Sequence, residues 1–195
     1  MFPSTHDITP ANLPLCVAAM DAMLDHGHSL LVVSKPHVDC IEAICGRYMD
    51  ERTRILFRFT IGSRADDVLS FWEPAAPSFM ERLDSLCLAA ERGFQTSVSC
   101  EPMLDDNVEA VVDQVLPFVT DAVWIGKANR LRARLLINGA DPEVMLAGER
   151  LIASQNDTRI RDLYSNYKSN RKIKWKESIK NVVGIPMAVR PGMDT

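Results

Sequence analysis

The sequence predicts an α/β fold: a partial TIM-type (β/α) barrel of about four parallel strands, with flanking helices and a helical C-terminal tail. Three observations carry this. Short runs of strand character, "LLVV", "RILFRFTI", "FQTSVSC" and "DAVWIG", alternate with stretches whose apolar residues recur at helical spacing. Gly27 and Gly93 stand where a helix has to stop before the next strand. Strands and helices alternating in this way form βα units, and right-handed crossovers make their sheet parallel. Four units amount to about half of an eight-stranded barrel.

The elements follow in order. Thr9 reads as an N-cap with Pro10 at the first helical position, and Leu13, Val17, Met20 and Leu24 give that helix its apolar face. Gly27 ends it, and "SLLVVS" (Ser29 to Ser34) is a short, fully buried strand. "VDCIEAICGRYM" is the next helix, with Gly46 weakening its end, and "RILFRFTI" is the second strand. A polar loop with one helical turn leads to "PSFMERLDSLCLAAERG", where Ser78 and Glu81 form a capping box. "FQTSVSCE" is the third strand, "NVEAVVDQVLPFV" is helical until Pro117 disrupts its last turn, and "DAVWIG" is the fourth strand. After Gly126 the segments "RLRARLL", "DPEVMLAGERLIASQ", "TRIRDLYSNYKSN" and "KIKWKESIKNVVG" all read as helices, and no further strand is expected. The partial barrel then spans residues 1–139 and a helical extension packed on it spans 140–195, ending in a loose tail over the last ten residues.

At 195 residues the length suits one core, and 47% hydrophobic and 25% charged residues are ordinary for a globular domain. No apolar run approaches the roughly 20 residues of a membrane helix, and no charged and then apolar leader stands at the N-terminus. The expectation is a cytoplasmic protein without a membrane partner. Cys16, Cys40, Cys45, Cys87 and Cys100 form no CxxC pair and read as small buried hydrophobes. The pair Asp25-His26 with His28 lacks a spaced third ligand, and His26 suits the last turn of a helix. The net charge of −4 is unevenly spread: residues 159–180 carry eight Lys or Arg against Asp162 and Glu177. Tyr164, Tyr167 and Trp175 lie among these cations, an interleaving that can track a nucleic-acid strand or simply form a solvated helix face. Trp72 and Trp124 read as core residues.

In a parallel α/β protein the functional rim lies at the strand C-termini. There the sequence places Ser34-Lys35-Pro36-His37, then Arg58, Thr60, Gly62 and Ser63, then Cys100-Glu101-Pro102, then Gly126-Lys127-Ala128-Asn129. Lys35 and Arg58 could hold a carboxylate, Glu101 an ammonium or hydroxyl, and Thr60 or Ser63 a sugar hydroxyl. Equally, Lys35 and Glu101 could pair with each other across the rim, with Arg58 a buried structural ion.

The segments "FPSTHDITPANL", "LLVVSKPH", "LFRFTIGS…LSFWEPAAPSFMERL", "GFQTSVSCEPMLDD" and "VTDAVWIGKAN" resemble, in order and spacing, the radical S-adenosylmethionine (radical SAM) superfamily. The nearest branch is the spore photoproduct lyase-like group, often labelled DNA repair photolyases. The resemblance runs from about Phe2 to Asn129 and more weakly into the tail. It implies a partial barrel in which a CxxxCxxC loop holds a [4Fe–4S] iron–sulfur cluster. That cluster cleaves S-adenosylmethionine to a radical that abstracts hydrogen from substrate. It places Lys35, Arg58, Thr60, Ser63 and Glu101 around the S-adenosylmethionine, and the loop with His6 and Asp7 at the exit of a strand. It also implies that this chain starts after the second strand of a six-stranded barrel, with the cluster loop absent. Without three clustered thiolates no cluster is held.

The expected function is therefore that of a truncated fragment or split piece of a radical SAM enzyme of the lyase type, inactive alone, with nucleic acid as substrate class by family analogy. The alternative is a cluster-free ligand-binding or protein-interaction module on the same fold. The expected partners are a missing N-terminal half-barrel or a second copy joined through strand 29–34, and nucleic acid along the basic tail 159–180. Strand 29–34 should offer a row of unpaired backbone groups, and inward residues such as Phe57, Phe59, Val98 and Ile125 should lose part of their cover, so the chain should be marginal or should cover this edge by dimerising, by docking its own N-terminal loop or by binding the missing half.

Overall fold

Each strand of the protein pairs with the one before it in sequence. In the computed structural model, which describes residues 1–189, five strands form one all-parallel sheet in the order β1-β2-β3-β4-β5. They are β1 (Leu30–Ser34), β2 (Ile55–Thr60), β3 (Gln95–Cys100), β4 (Val123–Ile125) and β5 (Ile173–Trp175). The helices are α1 (Leu13–Asp25), α2 (Val38–Arg47), α3 (Asp66–Trp72), α4 (Phe79–Glu91), α5 (Val108–Val115), α6 (Leu131–Ile137), α7 (Pro142–Ser154), α8 (Asp157–Tyr167) and α9 (Glu177–Val183). Tight 3₁₀ turns occupy Met49–Arg54 and Leu116–Phe118. No helix among the described residues is long and apolar enough to cross a membrane.

The α/β class and the parallel sheet agree with the sequence, but the strand count is five rather than four. The stretch after residue 139 is not helical throughout, because "IKW" adds β5 beside β4. Ile173 and Trp175 are buried there, and Trp175 meets Tyr164 of α8 edge-on at 5.3 Å. The loose tail expected over the last ten residues lies beyond the described residues from position 190 onward.

Local signals explain most boundaries. Gly27 has φ +83° and Gly93 φ +78°. Each closes its helix by a pair of backbone bonds: Gly27 and His28 donate to Leu24 and Met23, and Gly93 and Phe94 donate to Ala90 and Ala89. His26 caps α1, its ring bonded to the Ala22 carbonyl at 2.7 Å. The start of α1 is later than expected. Asn12 accepts from the Thr9 N–H and donates to the Asp7 carbonyl, which holds residues 9–12 as a turn and makes Asn12 the cap position. The Ser78 and Glu81 box is half realised. The Ser78 hydroxyl accepts from the Glu81 N–H, while the Glu81 carboxylate turns to the Val38 N–H and to His37 at the start of α2.

Strand register sorts the residues onto two faces. Val32, Phe57 and Thr96 stand side by side, as do Phe59, Val98, Val123 and Ile173, and then Cys100, Ile125 and Trp175. All are buried, and with Met20, Ile41, Ile44, Leu86, Val112 and Leu163 from the helices they form the core. This corrects the expectation that Phe57, Phe59, Val98 and Ile125 would lose cover: they face the helices. The opposite face carries Leu31, Leu56 and Gln95 in one row, Val33, Arg58 and Ser97 in the next, and Thr60, Ser99, Trp124 and Lys174 in a third. None of these belongs to the core cluster.

Of the expected ways of covering the β1 edge, the structure shows the docking of the chain's own N-terminal loop. Phe2 bridges to Val32 in parallel fashion, donating to the Leu31 carbonyl and accepting from the Val33 N–H, both at 2.8 Å. Asp7 accepts from the Lys35 N–H at 2.7 Å. The chain's own N-terminal segment thus occupies much of the edge.

Candidate functional site

The face of the sheet away from the core becomes more polar toward the strand C-termini. Its first row is mainly aliphatic, its second adds Arg58 and Ser97, and its third is Thr60, Ser99, Trp124 and Lys174. One residue past the strands a fourth row follows: Glu101 after β3, Gly126 after β4 and Lys176 after β5. The ladder extends into it through bonds from the Gly126 N–H to the Cys100 carbonyl and from the Lys176 N–H to the Ile125 carbonyl.

Gly126 makes the fourth row possible. A Cβ there would stand 2.9 Å from Cγ of Glu101 and 3.0 Å from Cβ of Lys176. With only hydrogen at that point, the two side chains reach over β4 and pair at 2.9 Å. The Lys176 ammonium also lies 5.3 Å from the centre of the Trp124 ring, and the Arg58 guanidinium 5.1 Å. These cations shield the indole, which is 8% exposed and whose Nε1–H is buried without a partner among the described residues. No local pattern signals this; a tryptophan in a strand reads as core.

Arg58 sits mid-strand rather than at the rim. Its Nε donates to the Ser97 hydroxyl at 3.1 Å, Ser97 donates onward to the Ala122 carbonyl, and its Nη2 is 3.5 Å from Asp121 before β4. Burial pulls the Arg58 pKa down, opposed by the Asp121 charge. The guanidinium therefore keeps donors that its two partners do not use. Thr60 lies one row further along, beside Ser99.

The other expected site residues lie in separate places. Lys35 is held by Asp7 at 3.0 Å and approaches Glu73 at 3.9 Å. Glu73 in turn accepts from the fully buried Arg82 at 2.7 Å, and Arg82 also donates to the Thr60 carbonyl. Neither Lys35 nor Glu101 pairs with the other: each has its own partner. Ser63 is fully buried, donates to Asp105 and accepts from the Ala65 N–H, so its hydroxyl fixes the loop after β2. The structure thus brings Arg58, Thr60 and Glu101 to one face, puts Lys35 in an ionic chain at the β1 end of the rim, and holds Ser63 inside a loop.

The basic tail is dispersed. Arg159 binds Glu109, Arg161 is 3.8 Å from Asp157, Lys172 donates to the Val119 carbonyl, and Lys180 is buried. The residues present do not fit an iron–sulfur cluster. Cys16, Cys40, Cys45 and Cys100 are buried and Cys87 is half-buried, and burial raises the pKa of each, to about 12 for Cys45 and Cys100. No three His, Cys, Asp or Glu side chains gather to hold a metal among the described residues. Set against family models, curated proteins and solved structures, the chain matches none.

Proposed function

We propose that the open face of the sheet is one wall of a chamber for S-adenosylmethionine, and that the chain is part of a radical SAM enzyme whose [4Fe–4S] cluster is held by residues outside it. In this reading the sequentially ordered sheet is a partial (β/α) barrel, and the face away from the helices is its interior. The observation that carries the reading is the convergence on Trp124. There the guanidinium of Arg58, with donors to spare, lies over the Trp124 ring, two rows from the Glu101 carboxylate. Arg58 would receive a carboxylate, and Glu101, shared with Lys176, an ammonium or ribose hydroxyl. The bound cofactor would supply the radical chemistry. This chain's residues would orient it and exclude water.

Titration of the chain with S-adenosylmethionine by calorimetry tests this. Binding should weaken about tenfold or more in both Arg58→Ala and Glu101→Ala, the loss of one charge-assisted hydrogen bond each. Absence of binding by the unaltered chain, or binding in both variants as tight as in the unaltered chain, overturns the proposal. A nucleic-acid substrate rests on the resemblance alone. Lys168, Arg171 and Lys174 are the tail cations it would use, since they have no ion-pair partner among the described residues.

A second reading, a cluster-free binding or interaction module on the same fold, draws on the burial of the cysteines. It differs from the first in requiring no complementing segment for function.

A further inference from the structure

A cavity of about 540 Å³ lies outside the sheet face. It is a groove between α3 and α7, with the loop after β3 between them, and its volume is in the range of small-molecule sites. Leu104 and Leu151 lie low in it and Trp72 is half-buried, while Phe71 and Leu146 stand 43% and 53% exposed on its two sides. Phe71 and Trp72 meet edge-to-face at 4.9 Å, so ring surface as well as aliphatic surface lines the groove. Glu143, Leu146, Ala147, Arg150, Leu151 and Ser154 recur at helical spacing and turn one side of α7 toward it. Gly148 lies on another side of α7, where Leu135 of α6 packs against it.

Charge decides what the groove suits. Asp67, Asp106 and Glu143 line it from three different elements, and none of their carboxylates has a hydrogen-bond or ion-pair partner among the described residues. Asp105 also lines it but is tied to Ser63 and the Asn107 N–H. Arg150 is the one cation among the lining residues described. An apolar trough with aromatic surface and an excess of free carboxylates is complementary to an apolar body bearing an ammonium group.

We infer that this groove binds an amphiphilic organic amine, its ring or chain against Phe71, Trp72 and Leu146 and its ammonium at Asp67 and Glu143. The site is separate from the sheet face and does not depend on the reading given to that face.

Tryptamine is a suitable probe, with indole-3-propionate as its counterpart carrying a carboxylate in place of the ammonium. Calorimetry on the full chain at low salt should show tryptamine binding about five- to tenfold tighter than indole-3-propionate, the reach of two exposed charge pairs. The preference should shrink in 0.5 M salt. Amide shifts in two-dimensional NMR should map to α3 and α7. The double variant Asp67→Asn, Glu143→Gln should retain weak ring binding and lose the preference for the amine. Both substitutions are at surface carboxylates without partners, so folding is preserved. Ala147→Trp, which fills the groove, should abolish binding of both probes. Equal affinity for the two probes, a preference that survives the double variant, shifts confined to the sheet face, or no tryptamine binding at millimolar concentration overturns the proposal.

Discussion

Two glycine-to-alanine substitutions should move stability in opposite directions. Gly62 follows β2 and Gly46 lies in α2. A Cβ at Gly62 would stand 2.7 Å from the Pro102 carbonyl oxygen and 2.8 Å from Cγ of Leu104. The first contact is backbone and cannot swing aside. The loop cannot simply retreat either, because the Gly62 carbonyl accepts the Leu104 N–H at 2.9 Å. Overpacking of this kind costs about 1–3 kcal/mol and a lost hydrogen bond about 0.5–1.5 kcal/mol, so Gly62→Ala should destabilise by about 2–4 kcal/mol. At Gly46 the nearest atom to a new Cβ is the far end of Arg92, at 3.9 Å, and the site is exposed. Alanine there gains about 0.5–1 kcal/mol of helix propensity, toward the lower end so near the helix terminus. For a chain of this size 1 kcal/mol is worth about 2–4 °C in Tm, so the two variants should melt roughly 5–20 °C apart. Urea melts with unchanged m-values are the assay. A Gly62→Ala protein within 0.5 kcal/mol of wild type, or a Gly46→Ala protein less stable than it, would refute the packing argument.

Three further outcomes are expected. Phe57→Ala should cost about 3–5 kcal/mol, because the ring is fully buried against Phe59 and Phe94; Leu56→Ala on the open face should cost about 1 kcal/mol or less, and denaturant melts giving equal losses would reverse the assignment of faces. Hydrogen bonds from Arg47 and then Tyr48 lower the Asp21 pKa, so its stabilisation is present above the ordinary carboxylate value and is lost as pH falls through the lower folded value; Asp21→Asn should flatten that acid limb, while burial of Cys45, pushed up to about 12 from 9.0, should give an alkaline loss as pH rises between those values that Cys45→Ala removes. Anaerobic reconstitution of the chain with iron and sulfide should leave no visible charge-transfer absorbance, and a stoichiometric four-iron cluster would contradict the account of its cysteines.

The first four strands were legible because each is bounded by a helix stop or a turn and contains a run of β-formers. β5 was not, because three residues between "NRK" and "KESIK" cannot show a period, and its partner strand supplies the ordering. The two faces of β2 were largely legible, since Ile55, Phe57 and Phe59 alternate with Arg58 and Thr60 and only Leu56 blurs the pattern, but alternation did not show which face met the helices. The rim was partly readable. Lys35, Arg58 and Glu101 are charged and do lie on or beside the strands, but their partners Asp7, Asp121 and Lys176 come from elsewhere in the sequence. Glu81 shows the same limit, since a local capping box lost its carboxylate to the start of another helix. The groove between α3 and α7 joins segments at least 70 positions apart and has no local signature.

The sequential strand order governs how the chain can assemble as it leaves the ribosome. β2, β3 and β4 each arrive beside a strand already made, so every addition is rewarded at once by its neighbour. β5 is the exception, since α6, α7 and α8 intervene between Ile125 and Ile173. Closing this longer connection rather than the one between Cys100 and Val123 adds only about 0.6 kcal/mol of chain entropy, because that term grows with the logarithm of length. The delay comes from waiting for synthesis and for three helices to find their seats. Until β5 docks, Lys176 is not beside Glu101 or over the Trp124 ring. The face proposed to meet the ligand is thus the last part of the sheet to be finished, and a nascent chain halted before residue 173 would carry most of the core with Arg58 over Trp124 but without Lys176.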